Sequence, residues 1–223
     1  MNRLILKYGM PLTVVVLAVF AWVIYQRLSR GWSDIVPLAV AAGIVWLVGA
    51  PAFIYLWPRL TVGGFKRAII KHGFGEGPIP VNTVYAVPST PSPSESRGSL
   101  LATGTDDLLY LGGWLELKDG PLVLHVPEMA GRYYSLQFTN PSDSSNFAYV
   151  GTRTTGTGAG EYVLSGPGWS GSVPEGMTHI PSPGHSVLVI GRVFVANESD
   201  LPTAYGLAKQ VGLAPLGARG LTM

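Results

Sequence analysis

Gly120-Pro121-Leu122-Val123-Leu124-His125-Val126-Pro127-Glu128-Met129-Ala130-Gly131-Arg132-Tyr133-Tyr134-Ser135-Leu136-Gln137-Phe138 is the run whose reading decides the fold. Leu122, Val123, Leu124 and Val126 form one β-rich segment, and Tyr133 to Phe138 form a second with partial alternation. Pro127, Gly131 and the residues between them interrupt strand geometry, so the pattern predicts two strands with the chain folding back between them.

Working outward, short apolar runs recur between Gly/Pro turn signals. Leu108 to Leu117 reads as a strand in which Gly112-Gly113 marks a bulge or a close backbone approach. Phe147 to Thr155 and Glu161 to Ser165 read as a hairpin around Gly156-Thr157-Gly158-Ala159-Gly160, and His185 to Val195 is the most continuous buried-strand pattern. Strands at spacings of about ten residues predict a mainly β domain, an antiparallel sandwich or jelly roll. Asp200-Leu201-Pro202 then opens a helix, capped by Ser199 or Asp200 and stopped near Gly212.

Upstream the chain changes character. Residues 8–25 and 35–57 carry no charge, and each is long enough to cross a hydrocarbon core. With the polar stretch Gln26 to Asp34 between them, they predict a hairpin of two transmembrane helices over residues 1–58. Trp22, Tyr25, Trp32, Tyr55 and Trp57 sit near the ends, where amphipathic rings favour the membrane interface. A cleaved leader is the weaker reading, because Gln26-Arg27-Leu28 is no cleavage site. Residues 59–99 read as a short interfacial helix around Phe65, Lys66, Arg67 and Ile69, followed by a Gly/Pro/Ser-rich tether. The β domain then occupies residues 100–217, with a tail at 218–223.

Only 13% of the residues are charged, against about a quarter in ordinary domains. The net charge of +2 divides unevenly: residues 1–99 hold nine Lys/Arg against three Asp/Glu, and residues 100–217 hold five against ten. A basic membrane half suits anionic head groups. An acidic β half argues against nucleic acid. There is no cysteine, which excludes disulfides, thiolate metal sites and a cysteine nucleophile. Arg3, Lys7, Arg27, Arg30, Arg59, Lys66, Arg67 and Lys71 flank the apolar segments; counted plainly, they favour both termini, and the β domain, on the cytoplasmic side.

A run of motifs then carries a resemblance. Asp107 to Tyr110, Gly120 to Leu124, Val126-Pro127, Gly131-Arg132-Tyr133-Tyr134, Gly151-Thr152-Arg153-Thr154-Thr155-Gly156, Gly166-Pro167-Gly168-Trp169, Gly191-Arg192 and Asp200-Leu201 occur in the order in which a bacterial family, the domain of unknown function 1254, carries them. The resemblance covers about residues 100–217 and leaves out the two-helix anchor. It implies a β-rich, jelly-roll-like fold exported beyond the inner membrane, and it brings no reaction and no cofactor. Two departures stand out: Thr105 and Leu108 replace an Asn and a Thr of the family's opening pattern, and many members continue into a second β domain where this chain ends at Met223. Family habit places the β domain outside the cytoplasm, against the charge count.

Arg132, Arg153 and Arg192 are the only arginines between residues 100 and 217, each beside a glycine or a turn. With Asp106 and Asp107, and further off Glu128 and Glu161, they make a candidate polar cluster for an anionic or sugar ligand, because the guanidinium fork suits bidentate acceptors. The competing reading is structural bracing by ion pairs. His125 reads as a strand residue, and His179 and His185 flank Pro181-Ser182-Pro183 with spacing unsuited to a metal. Gly168-Trp169-Ser170-Gly171-Ser172 lacks the final glycine and the strand-to-helix setting of a nucleophile elbow. Tyr133, Tyr134, Tyr149, Tyr162 and Trp169 are core or sheet-face residues, or surfaces for sugar or lipid stacking.

The expectation is a membrane-anchored envelope protein of the bacterial inner membrane, non-enzymatic and without metal or cofactor. It would serve as an accessory or stabilising subunit among other transmembrane subunits, such as those of an actinobacterial lipid-import transporter of the Mce type. Ala39, Ala42, Gly43, Gly49 and Ala50 supply a helix-packing face. Two alternatives remain open: an envelope carbohydrate- or lipid-processing enzyme using Asp106, Asp107, Glu128 or Glu161, and a glycan- or lipid-binding module.

Overall fold

A computed structural model describes residues 22, 23, 25, 26, 35–74, 77–90 and 105–217. The chain divides into two compact units, Met1–Phe65 and Lys66–Met223.

The first unit is dominated by helix α1, Ile35–His72, whose last turns belong to the second. Its 38 residues extend about 57 Å at about 1.5 Å per residue, well beyond a hydrocarbon core of about 30 Å. Among the described residues it is the one helix long and apolar enough to cross a membrane. The expected hairpin is therefore replaced, in what is described, by a single helix. The proposed first span, residues 8–25, lies outside the described residues except for Trp22, Val23 and Tyr25, which are helical. The separate interfacial helix is not formed either: Phe65 to Lys71 continue the same helix through Pro51 and Pro58. Proline removes one intrahelical bond but is tolerated in helices built for membranes. Trp46, Phe53, Tyr55 and Trp57 point outward, with Phe53 stacked on Trp57 at 5.2 Å. Arg59 lies 3.6 Å over the Tyr55 ring and donates to the Tyr55 carbonyl at 2.7 Å.

The second unit is built from two sheets. The first has the order β1-β2-β8-β4-β5, with β1 Tyr85–Ala86, β2 Leu108–Glu116, β4 Tyr134–Asn140, β5 Ser145–Gly151 and β8 Ser186–Phe194, and every pair is antiparallel. The second has the order β7-β6-β3-β9, with β3 Leu122–Val126, β6 Gly160–Ser165, β7 Thr178–Pro181 and β9 Gly212–Pro215. Its β6–β7 pair is parallel, so this sheet is mixed where an all-antiparallel domain was expected. Both of its outer strands, β7 and β9, end on an exposed proline.

Alternation decides which side chains meet. Leu109, Leu111 and Leu115 of β2, Tyr134, Leu136 and Phe138 of β4, and Val187, Val189 and Val193 of β8 turn inward. They join Leu122, Leu124, Val126 and Leu164 of the second sheet in one core. Each such buried apolar side chain is worth about 1.5–3 kcal/mol relative to exposure.

Two expected hairpins are not built. β3 and β4 lie in different sheets, because Pro127 to Gly131, with Ala130 and Gly131 at φ 51° and 73°, carries the chain across the core. β5 and β6 likewise part at the Thr/Gly-rich turn after Gly151; β5 pairs with β4, and β6 with β3 and β7. The stretch read as tether contributes β1, which pairs with β2 at Tyr85↔Gly112. Gly112-Gly113 is a close approach without a bulge: a Cβ on Gly113 would lie 1.9 Å from the Thr83 carbonyl oxygen.

On the outer face of the first sheet, Tyr110 and Trp114 are only 4% and 2% exposed although alternation turns them from the core. The end of α1 and the residues after it cover the sheet at Trp114 and Gly112: Lys66 sits 5.6 Å over the Trp114 ring, and a Cβ on Gly112 would lie 2.9 Å from the Phe74 ring. The carboxylate of Glu116 fixes this cover. It pairs with Lys66 and accepts from Ser186 Oγ at 2.8 Å and Trp114 Nε1 at 3.1 Å. Burial opposes its ionisation, but the bonds from Lys66, Ser186 and Trp114 outweigh burial and hold the carboxyl below its ordinary range.

After β8, a 3₁₀ turn (Glu198–Asp200) leads into helix α2 (Leu201–Ala208). Asn197 caps the turn, accepting from the Asp200 N–H at 3.1 Å, whereas the expected cap, Asp200, makes no side-chain cap bond.

Candidate ligand groove

The other half of that outer face is open. β4 reads Tyr-Ser-Leu-Gln-Phe-Thr-Asn, buried and half-buried in strict alternation, so Ser135, Gln137 and Thr139 all face away from the core. Register then sets their neighbours. Ser135 stands opposite Arg192 on β8 and opposite Gly151 on β5, while Gln137 stands opposite Tyr149. Two strand spacings, about 10 Å, separate Arg192 from the turn that carries Arg153.

That turn is tightly made. The Gly151 carbonyl accepts from the N–H groups of Thr154 and Thr155 at 2.9 and 2.8 Å, and Thr155 Oγ1 accepts from Gly151 N–H at 3.1 Å. Thr152 Oγ1 accepts from Tyr134 N–H at 3.1 Å, tying the turn to β4. Gly151 is required because a Cβ there would lie 2.5 Å from the Tyr134 carbonyl oxygen. The tip of the turn carries Arg153, exposed, with its guanidinium 5.6 Å over the Tyr133 ring. Arg192 lies 5.7 Å over the Tyr110 ring in the same manner. A ring face holds a guanidinium in place without using its N–H donors.

Between the arginines lies a groove of about 320 Å³, bordered by Tyr133, Ser135, Gln137, Tyr149 and Thr154. Gln137 Nε2 donates to Asn146 Oδ1 at 3.0 Å and to Thr139 Oγ1 at 3.3 Å, which fixes the amide. Its Oε1 has no partner among the described residues. The same holds for carboxylate partners of Arg153 and Arg192: neither is ion-paired among the described residues.

The expected five-residue cluster is thus divided. Arg153 and Arg192 come together. Arg132 goes elsewhere, because the left-handed turn at Ala130-Gly131 aims it at Asp200, which it grips at 2.5 and 2.6 Å while donating to the Phe194 carbonyl at 2.7 Å. Asp106 and Asp107 stand at the start of β2 and do not line the groove; Asp107 is bonded to the Thr105 hydroxyl, and its carbonyl accepts from Val195 N–H at 2.8 Å. The remaining carboxylates are engaged apart from it. Glu161 meets His125 Nδ1 at 2.9 Å, and Glu128 accepts from Ala130 N–H at 3.2 Å. His179 Nε2 meets the buried Ser165 Oγ at 2.8 Å, with Trp169 tilted over it at 5.3 Å. Ser170 is exposed on a loop outside any helix or strand, as the defective elbow motif predicts. No group of three or more His, Asp or Glu is placed to hold a metal among the described residues. The sequence marks Tyr133 and Tyr149 as sheet-face residues or stacking surfaces. It does not mark Ser135, Gln137 or Thr154, although the period-two pattern of β4 puts the first two on one face.

The sequence pattern of a family described as a protein of unknown function, DUF1254, matches residues 81–215. This chain belongs to DUF1254. The match begins before β1, so the family's domain includes the strand taken from the tether. Among solved structures, the VPA0106 protein from Vibrio parahaemolyticus is similar at 22% identity with a TM-score of 0.56, over 74% of this chain and 37% of that one. This likeness shows the fold alone, and the chain spans little more than a third of that protein's length. An uncharacterised protein from Burkholderia cenocepacia aligns at 14% identity and a TM-score of 0.38, over 62% of this chain and 36% of that one. No curated protein matches the sequence.

Proposed function

We propose that this DUF1254 chain is a membrane-tethered recognition module of the bacterial envelope, whose β domain holds an anionic ligand in the groove between Arg153 and Arg192. The observation that carries the reading is the pair itself: two guanidiniums on one open sheet face, each seated on a tyrosine ring and neither neutralised by a carboxylate among the described residues. Structural arginines find carboxylates, as Arg132 does. Arginines left with free donors suit an acceptor that comes from outside. The groove's remaining groups are phenols, hydroxyls and an amide, which are recognition chemistry. Tethering is supported by α1, long and apolar enough to span a bilayer. Native mass spectrometry of the full chain, extracted in mild detergent from its own membranes, tests this. A bound small acid lost in the R153A/R192A double variant supports it; the bare chain mass in both refutes it.

A second reading, accessory subunit of a larger membrane complex, draws on the small residues of α1. Close helix packing through small residues needs room, and a Cβ placed on Gly43 or Gly49 would meet nothing within 4 Å, with Ala39 exposed beside them. The same experiment decides it: a co-extracted helical partner lost on Gly43→Leu and Gly49→Leu supports it, and retention of that partner, or extraction without one, refutes it.

A further inference from the structure

The geometry points to an acidic sugar as the ligand of this groove, an inference that rests on the anion-recognition reading above and narrows it. Three observations set the class. Two fixed positive charges flank the groove, so a neutral glycan would leave both without a counter-charge. Tyr149 is 47% exposed at the groove's border, a flat apolar surface of the kind on which the C–H face of a sugar ring stacks. Between them stand Gln137 Oε1, held in place by the bonds of its own nitrogen, and the hydroxyls of Ser135 and Thr154, which match a ligand rich in hydroxyl groups. A free inorganic anion would use the arginines and leave the rest idle. An acyl chain finds no slot: Val150, the aliphatic side chain among the lining residues, is 1% exposed. The volume of about 320 Å³ lies at the small-ligand end of binding sites, fit for one or two sugar units of a longer chain.

The ligand is thus a sugar ring carrying a carboxylate or a phosphate, one guanidinium taking the acid in bidentate fashion and Tyr149 taking the ring. The test is isothermal titration of the full chain in a zwitterionic detergent, since alkyl-glycoside detergents would compete. The probes are a galacturonate oligomer, a hexose phosphate, a neutral hexose oligomer of equal length, inorganic phosphate, and phosphatidylcholine vesicles containing phosphatidylglycerol. The galacturonate oligomer or the hexose phosphate is expected to bind at least tenfold more tightly than the neutral oligomer and inorganic phosphate. R153A and R192A each weaken that binding at least tenfold, R153K less, and Tyr149→Ala weakens it with no change in the thermal midpoint. Binding of inorganic phosphate or of the vesicles alone, abolished by R153A, overturns the sugar while leaving the anion site standing. Binding of none of the probes, or binding indifferent to both arginine variants, overturns both.

Discussion

Arg132 holds Asp200 in a two-pronged pair, with side chains 15% and 19% exposed, and the same Asp200 carboxylate accepts from the Ala196 N–H at 2.9 Å. Asp200 makes no cap bond to α2; its oxygens are taken by Arg132, in the β3–β4 connection, and by the Ala196 N–H after β8. The bond from Arg132, with that from Ala196, pulls its carboxyl down to about 2, and Asp200 in turn raises the Arg132 guanidinium. A carboxyl depressed in the folded state stabilises fully above its unfolded pKa of about 3.9, and the contribution is lost as pH falls toward the folded value. The thermal midpoint should therefore decline from pH 4 to pH 2. In Arg132→Gln that part of the decline should shrink, while the midpoint at pH 7 drops. Scanning calorimetry at pH 2, 4 and 7 is the check.

Glu116 offers a second acid-sensitive point on the opposite side of the sheet order. Glu116→Ala removes the acceptor of the buried Trp114 indole N–H. A buried donor left without a partner costs about 1–3 kcal/mol. Urea unfolding at pH 7 should show a loss in that range, and Glu116→Gln, which keeps an acceptor oxygen, should lose less.

Tyr134 runs the other way. Its hydroxyl is fully buried and has no hydrogen-bond partner among the described residues. Burial pushes the phenol up, and the Thr155 hydroxyl offsets this only in part. Tyr134→Phe should raise stability by about 1 kcal/mol, the cost of an unpaired buried polar group being removed. A lower denaturation midpoint in the variant would show that the hydroxyl is satisfied in solution.

Gly113→Ala should be the most damaging small substitution on β2, because its Cβ meets a backbone carbonyl that cannot swing aside. Overpacking of this kind costs about 1–3 kcal/mol and shifts the neighbouring strand. Hydrogen exchange should show earlier opening at β1 and β2 than at β4, and the same substitution at the exposed Gly206, where a Cβ meets nothing within 4 Å, should be harmless.

The sidedness of the β domain can be read directly because the chain has no cysteine. Ser170→Cys, on an exposed loop, provides one thiol. Labelling of intact cells by a membrane-impermeant maleimide is the outcome expected of an extracytoplasmic domain. Labelling only after lysis would place the domain inside, where the plain charge count puts it.

How much of this was legible beforehand varied with the range of the interaction. The core faces of β2, β4 and β8 follow from period-two patterns, and the close approach at Gly112-Gly113 from two adjacent glycines in an apolar run. Strand pairing did not follow. Tyr133 to Phe138 follows β3 directly along the chain but pairs with β5 and β8, because Ala130 and Gly131 adopt left-handed backbone that steers the chain across the core. Such a turn is not distinguishable from a hairpin by composition. The short edge strands β1, β7 and β9 carry too few residues to show a period at all. For the groove, the arginines were visible as rare residues in an acidic domain. Which two would meet depended on register, and register separated Arg132 from Arg153 and Arg192.

Proline ends both outer strands of the second sheet, and the first sheet begins with a strand of two residues. Three of the four sheet borders therefore offer little unmatched amide for another copy to zip onto. If α1 confines it to a bilayer plane, as proposed above, the domain meets its own kind far more often than one adrift in three dimensions. Those blunted borders let such neighbours collide and part again without growing into fibres.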